Sequence, residues 1–412
     1  MKFDTIIIGG GLSGLSAGIS LVKAGQRVAV VSAGQSSLHF NSGSFELMGY
    51  DENHRPVENP LEAMKGLDEE HPYRRMGLDN VARLAPQVAP MLADAGVRMR
   101  GTAARNHWRL SPMGVMKTAW LTVEDHIALD SPDSFPWKKA AIINITGLLD
   151  FFPRFLETGL RKRGMECSLA EVTCNEIAKQ RVSATEMRAT NIARVLQGKA
   201  LESLAAEIRQ AAGDAEVIFF PSAAGLESMK NADILRELAG RPFYFIPTMS
   251  TSVSGVRCQM TLQKYFMRIG GYYMIGDVVS KGNFDGNRLL SVETRNFASD
   301  RLSADNFIFA AGSFYSHGMV ATPSAIVEPV LGLDTEYRGS RPEWYNEDIF
   351  RKQPYMKFGI ATDADFRAIR DGKTTENIYV AGSSLPGADS VNEGSGAGVA
   401  ALTALHIAEK IK

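Results

Sequence analysis

Three glycines near the amino terminus carry the chemistry that this sequence declares most openly. Gly9, Gly11 and Gly14 stand in the run Phe3-Asp4-Thr5-Ile6-Ile7-Ile8-Gly9-Gly10-Gly11-Leu12-Ser13-Gly14, a short apolar stretch followed by G-x-G-x-x-G. In a strand–turn–helix unit the first glycine permits the tight turn and the second lets backbone approach a phosphate. The third lets the helix lie against the strand. The helix N-terminus then offers unpaired N–H groups and a partial positive charge to an anion. The spacing alone is a weak signal in a chain with 38 glycines, so the context decides. Leu15, Ile19 and Val22 share one helical face, Ala24-Gly25 ends the helix, and Arg27-Val28-Ala29-Val30-Val31 supplies a second strand. This is a βαβ unit of the kind that holds a nucleotide or a flavin.

The second strand ends on Ser32, where dinucleotide folds carry an acidic residue for the adenosine ribose. Serine offers one hydrogen bond and no charge, so a bound phosphate is better supported than a bound adenosine. The loop beyond it holds Ser36, Ser37, Ser42 and Gly43. It falls at the carboxyl end of a strand, where open α/β sheets form their ligand crevice. His39 lies in the same loop, and His317 follows the strand that ends at Gly312. Histidine is the natural proton acceptor near neutral pH, so these two are the candidate bases. Arg188 and Arg194, with Asn191 midway, are predicted to share a helix face and to grip a phosphate bidentately. Arg257, after Ser254-Gly255, is a further candidate. Each has a plainer reading, as a pocket-shaping histidine or a surface ion pair.

Composition excludes several classes. A net charge of −1 without a polybasic run argues against a nucleic-acid partner. Three cysteines, Cys167, Cys174 and Cys258, form no C-x-x-C pair, so neither a metal cluster nor a disulfide framework is expected. Asp4 interrupts the opening run, which is too short for a secretory signal. No run reaches the ~18 apolar residues of a membrane helix. The expected location is a reducing cytoplasm.

The positioning elements read as follows. A helix is predicted over 79–98, with Pro86 and Pro90 breaking or kinking it. Strands are predicted at Ala140–Ile145, Val217–Phe220 and Phe243–Ile246, with helices at Leu148–Arg163, Glu202–Ala212 and Ile234–Ala239. A helix over Val256–Ile269 precedes short strands at Tyr272–Ile275, Val278–Val279 and Leu289–Thr294. Two buried strands end at Ala310-Ala311-Gly312 and Ala381-Gly382, and an apolar helix closes the chain. The predicted class is α/β: a Rossmann-like FAD/NAD(P)-binding fold with an inserted α/β substrate or partner domain. The discontinuous first domain spans 1–99 plus 251–412, and the insert spans 100–250.

In order along the chain, the Gly9–Gly14 loop, the strand end at Gly312, Gly359-Ile360-Ala361-Thr362-Asp363 and the strand end at Gly382 resemble the flavin-dependent oxidoreductases that open with a Rossmann unit. The resemblance implies that Gly382 and Ser383 lie along the flavin's ribityl chain. It also implies that Gly394, Ser395, Gly396 and Ala397 begin a helix aimed at the pyrimidine edge of the ring. Ser383, like Ser32, stands where that family commonly has a carboxylate.

A closer resemblance, over essentially the whole chain, is to the B-subunit family of anaerobic glycerol-3-phosphate dehydrogenases. It rests on Gly34-Gln35-Ser36-Ser37-Leu38-His39-Phe40-Asn41-Ser42-Gly43-Ser44, on Ala184–Arg194 and on Arg341-Pro342-Glu343-Trp344-Tyr345. That resemblance implies FMN as cofactor, with FAD the runner-up, and the two missing sugar carboxylates suit FMN. It implies oxidation of glycerol 3-phosphate to dihydroxyacetone phosphate, with electrons passed toward quinone. The implied partners are a catalytic A subunit and an iron–sulfur C subunit that anchors the assembly to the membrane. This chain would be peripheral to the inner membrane through them. A stand-alone FAD oxidoreductase of another small alcohol, amine or hydroxy acid, and a non-catalytic assembly protein, are the alternatives.

Overall fold

The opening run Lys2–Ile8 forms a strand (β1) whose Ile6 and Ile7 are wholly buried, as expected of a strand covered on both faces. It leads to a helix, Leu12–Lys23 (α1), and then to a second buried strand, Val28–Ser32 (β2). This computed structural model describes residues 1–297 and 301–412. Within them the chain divides into two units. The first comprises Met1–Ser37, Glu46–Pro90 and Leu262–Lys412; the second comprises Leu38–Phe45 and Met91–Thr261.

The first unit is built on an eight-stranded sheet. Three further parallel strands join it: Tyr272–Ile275 (β3), Leu302–Phe309 (β4) and Lys373–Val380 (β5). Their order is β3-β2-β1-β4-β5, with Ile7 pairing Val30 on one side and Ile308 on the other. That order is the Rossmann one, and it places the carboxyl ends of β1, β2, β4 and β5 along one edge of the sheet. Antiparallel strands Arg288–Thr294 and Val279–Asp285 extend the sheet beyond β4, and Arg367–Arg370 pairs with β5. The last helix, Gly396–Lys410 (α2), is apolar on nearly every face and packs against α1.

The second unit holds a four-stranded parallel sheet in the order Glu166–Val172, Lys139–Ile145, Val217–Pro221, Phe243–Ile246. Its core includes Ile142, Ile143, Leu204, Ile208, Phe219 and Phe245. Two small antiparallel sheets accompany it. One pairs Ser44–Phe45 with Leu121–Val123, so the segment Leu38–Phe45 belongs to this unit and not to the one that flanks it in sequence.

Two expectations change. Pro86 and Pro90 do not break the helix, which runs unbroken from Leu78 to Asp94. Both prolines are exposed and four residues apart, so the carbonyls deprived of a partner face water. The helix predicted over Leu148–Arg163 is shorter, Pro153–Arg161, because Pro153 takes the first helical position, where its missing N–H costs nothing. Among the described residues no helix is long and apolar enough to cross a membrane.

The seating of α1 on β1 tolerates no side chain at Gly14, where a Cβ would lie 1.9 Å from the Gly9 carbonyl oxygen. Gly14→Ala is expected to lower stability by about 1–3 kcal/mol, read as a reduced urea midpoint with unchanged slope.

Candidate flavin site

The glycine loop divides its tasks as the spacing requires. Gly9 adopts a φ of +115°, and a Cβ on it would lie 2.1 Å from the Ala310 carbonyl oxygen. At Gly10 a Cβ would meet the Tyr273 hydroxyl at 2.0 Å. That hydroxyl is part of a strut beneath the loop: Gln263 Nε2 donates to Tyr273 Oη (2.9 Å), and Tyr273 Oη donates to the Gly10 carbonyl (3.3 Å). Burial pushes the Tyr273 phenol above its usual range, so it remains a donor. Gly11 is different. A Cβ there meets only Ser36, at 3.5 Å, an ordinary contact. The loop is packed beneath Gly9, Gly10 and Gly14 and open at Gly11.

The open face lies at the start of α1. Gly11 is the N-cap residue and has no side chain to cap with, and the first turn has no acidic residue. Its leading N–H groups have no intrahelical partners. An anion with a thin profile fits such a place, and a diphosphate is one.

Other sequence-predicted residues lie in the first unit. Gly312, just beyond β4, has a φ of +85° and donates to Ser384 Oγ (3.0 Å), and a Cβ on it would lie 3.6 Å from Ser383 Oγ. Gly382, just beyond β5, donates to Thr403 Oγ1 of α2 (2.9 Å) and sits so near α1 that a Cβ would lie 2.1 Å from Ser13 Oγ. Gly394 takes a φ of +57°, Ser395 is the N-cap residue of α2, and Gly396 and Ala397 open that helix. Ser32 is buried and donates to the Gly34 carbonyl (3.0 Å). Ser37 opens a short 3-10 turn.

Sequence reasoning missed Asp277. It lies just beyond β3, and its N–H and that of Gly276 both donate to the Ser32 carbonyl (3.2 and 2.8 Å). Its Oδ1 accepts from the N–H groups of Val278 and Asn296, while Oδ2 is buried without a partner among the described residues. A carboxylate thus stands one strand away from the place where β2 lacks one. A Gly-Asp pair after an apolar strand reads as an ordinary turn, so nothing local marks it.

His39, Ser42, Gly43, Arg188 and Arg194 lie in the second unit, and His317 lies in the first. The His39 ring is half-buried beside Phe40, and burial holds its pKa below the usual value. His317 is exposed, with a φ of +60° that ends a one-turn 3-10 helix. The two arginines do not share a helix face. Arg188 precedes the helix Ala189–Val195 as its N-cap residue, and its guanidinium binds Asp150 Oδ1 (2.7 Å). Asp150 Oδ2 accepts from the Ala189 N–H (2.8 Å), so this carboxylate ties Arg188 to the start of the helix. Arg194 donates to Asn191 Oδ1 (2.9 Å).

Arg257 is wholly buried in the second unit, bonded to Asp125 Oδ2 (2.8 Å) and to the Gly225 carbonyl (3.0 Å). Next to it His126 Nε2 lies 3.2 Å from Ser254 Oγ and 3.8 Å from Asp125 Oδ1. Asp, His and Ser are together, but one ring nitrogen faces both partners and Nδ1 has none among the described residues. A nucleophile relay needs the acid and the hydroxyl on opposite nitrogens, so this cluster is structural. Burial pushes the His126 pKa down to about 4, and His107, bonded to Thr122 Oγ1, is likewise lowered to about 4, chiefly by burial.

This geometry sets three expected outcomes. Gly11→Asp should fold normally, because space is open there, yet lose flavin, because a carboxylate would face the phosphates; absorbance of the purified variant reads this directly. Arg257→Leu strands the buried Asp125 charge and should cost about 3–5 kcal/mol in denaturant unfolding. Both histidines stay neutral when folded, so between pH 6.5 and 4 the unfolded chain binds more protons. Stability should fall as pH drops through that window, by up to about 3 kcal/mol per histidine, and His126→Gln should flatten the profile.

The family described as FAD binding domain matches residues 4–399. Among curated relatives, the B subunit of anaerobic glycerol-3-phosphate dehydrogenase from Yersinia enterocolitica is 39% identical, over 100% of this chain and 98% of its own. Its namesake from Pectobacterium carotovorum is 36% identical, over 100% of this chain and 99% of its own. Among solved structures, 3-ketosteroid delta1-dehydrogenase from Sterolibacterium denitrificans aligns over 100% of this chain and 99% of its own, with 10% identity and a TM-score of 0.46. The expectation of FMN finds no support in the matched family, whose description names FAD. With identity of this degree running end to end, the chain belongs to the FAD-binding-domain family and, within it, to the B-subunit family of anaerobic glycerol-3-phosphate dehydrogenase.

Proposed function

We propose that this chain is the flavoprotein B subunit of a glycerol-3-phosphate dehydrogenase, that it holds FAD, and that it relays the electrons of glycerol 3-phosphate oxidation toward quinone. The observation that carries the cofactor is the open face at Gly11, beside an uncapped helix N-terminus, in a loop otherwise packed too tightly for any side chain. The end-to-end identity with named B subunits favours this reading over a stand-alone oxidoreductase.

In this reading the N–H groups that begin α1 and the hydroxyl of Ser36 hold the diphosphate. Gly382 and Ser383 line the ribityl chain, and the start of α2 faces the pyrimidine edge. Asp277 provides the carboxylate that Ser32 lacks on the adenosine side. Bound flavin supplies hydride acceptance and electron transfer, which no side chain can. The residues of the chain fix its orientation, exclude water from its underside and place positive helix ends where negative charge must rest. His39 and His317 are the histidines proposed to accept the substrate's hydroxyl proton, and Arg188 and Arg194 remain the proposed phosphate contacts. A catalytic A subunit and an iron–sulfur C subunit are the proposed partners, with this chain on the cytoplasmic side of the membrane through them.

The test is direct. Denatured holoprotein should release FAD, identified by mass, and glycerol 3-phosphate should bleach the bound flavin, either unaided or once the A subunit is added. Released FMN would overturn the cofactor, and absence of bleaching in the assembled complex would overturn the activity. His39→Ala should retain flavin while slowing reduction about 10²-fold or more in stopped-flow measurements; unchanged reduction would remove His39 from the role.

A further inference from the structure

The run Arg341-Pro342-Glu343-Trp344-Tyr345 has no part in the glycine loop, and the fold gives it a setting of its own. Ser340 and Glu343 form a capping box that starts a one-turn 3-10 helix. Residues 344–355 then make a loop with bonded ends, because the Tyr355 N–H donates to the Trp344 carbonyl (2.9 Å). Polar side chains brace it from within. The Asn346 N–H donates to Gln353 Oε1 (2.8 Å), and Asn346 Nδ2 donates to the Lys352 carbonyl (2.7 Å). Gln353 Nε2 donates to the Asp348 carbonyl (3.0 Å), and the Phe350 N–H donates to Asp348 Oδ1 (3.0 Å). A closed loop held by its own side chains is an Ω-loop, a form that is frequently functional. Neither Ile349 nor Phe350 contributes a side chain to this bracing. Yet these two large apolar groups stand in water, 77% and 91% exposed.

The bonded ends of the loop, Trp344 and Tyr355, also line a cavity of about 230 Å³, together with Phe314, Ile326 and Tyr345. A dry cavity of ~150 Å³ holds benzene, so this one has room for one large side chain. Arg341 lines it too. It donates to the Thr322 carbonyl, and its guanidinium lies 6.0 Å from the centre of the Trp344 ring. Other cations of this stretch are paired with acids: Arg338 with Glu70 (2.8 Å), Arg351 with Asp348 (3.6 Å) and Lys357 with Asp68 (3.1 Å). Arg341 meets no carboxylate among the described residues. Loop and cavity both lie in the first unit.

We infer that this loop and cavity are the docking surface for a partner subunit, which seats one large apolar side chain in the cavity and sets a carboxylate beside it on Arg341. The inference rests on the reading of this chain as one subunit of a dehydrogenase assembly, and it names the surface where that assembly forms. A small ligand would fill the cavity and leave Ile349 and Phe350 in water, whereas a protein surface covers both and the cavity together. Binding energy at interfaces concentrates where aromatic side chains and arginine surround such a pocket. A loop already braced loses little freedom when it is covered. The lone cation sets the sign of the charge that must face it, and that pair strengthens once the partner excludes water.

The test measures association of this chain with its A and C subunits. Ile349→Asp and Phe350→Asp should keep the wild-type urea midpoint and flavin content, since both positions are exposed and neither touches the glycine loop. Each should weaken association about 30-fold or more, the loss of one interface anchor. Phe350→Ser should do the same without adding a charge. Arg341→Gln should weaken association about ten-fold and flatten its dependence on salt, which screens the charge pair in the wild type. Unchanged association in the variants at 349 and 350 overturns the docking surface. Unchanged salt dependence in Arg341→Gln overturns the carboxylate assigned to the partner. A wild-type chain that joins neither subunit overturns the subunit reading itself, and the inference with it. An isolated chain with twice the monomer mass by light scattering, returned to the monomer by Phe350→Asp, gives this surface to a second copy and overturns the partner.

Discussion

The approach of α1 to β1 is the constraint on which the first unit depends. At Gly14 and Gly9 helix and strand backbones come closer than any side chain permits, and Gly9 in turn abuts the backbone at Ala310. One tight stack of glycine backbone therefore joins the ends of β1 and β4 to the start of α1. Because the stack is rigid, the N–H groups that begin α1 are aimed before any ligand arrives. Preorganised donors of this kind bind an anion without the cost of being ordered around it.

The two helices that begin at this edge of the sheet obey the same rule by different means. α1 is left uncapped because its N-cap residue is a glycine. α2 has a serine in that place, but its backbone is not extended as capping requires, and its hydroxyl donates to Glu393. Both helices begin without a side-chain cap. The cost of an open helix end is about 1 kcal/mol of forgone capping.

Buried charge in the second unit serves a different end. Arg257 and Asp125 are fully enclosed, and a pair so placed contributes less net stability than apolar packing would, but losing either partner is severe. The serine, histidine and aspartate beside it would suggest hydrolytic chemistry from composition alone. The orientation of one imidazole ring removes that reading, since catalysis by such a group depends on which nitrogen meets which neighbour.

The Rossmann unit, the strand ends at Gly312 and Gly382 and the glycines of the first loop are all legible in the order of residues. They are local features: a glycine spacing, an apolar run and a turn act through atoms a few residues apart. Pro86 and Pro90 leave the helix unbroken, because whether a proline ends a helix depends on whether its orphaned carbonyl faces water. The spacing of Arg188 and Arg194 put them on one helix, because a helix start set by Asp150, far back in the chain, leaves no local trace. Folding alone brings Asp277 beside Ser32, draws Leu38–Phe45 into the second unit and carries His71 to Glu393. Those outcomes rest on hydrogen bonds between distant segments, whose geometry exists only once the sheet has brought the strands into register.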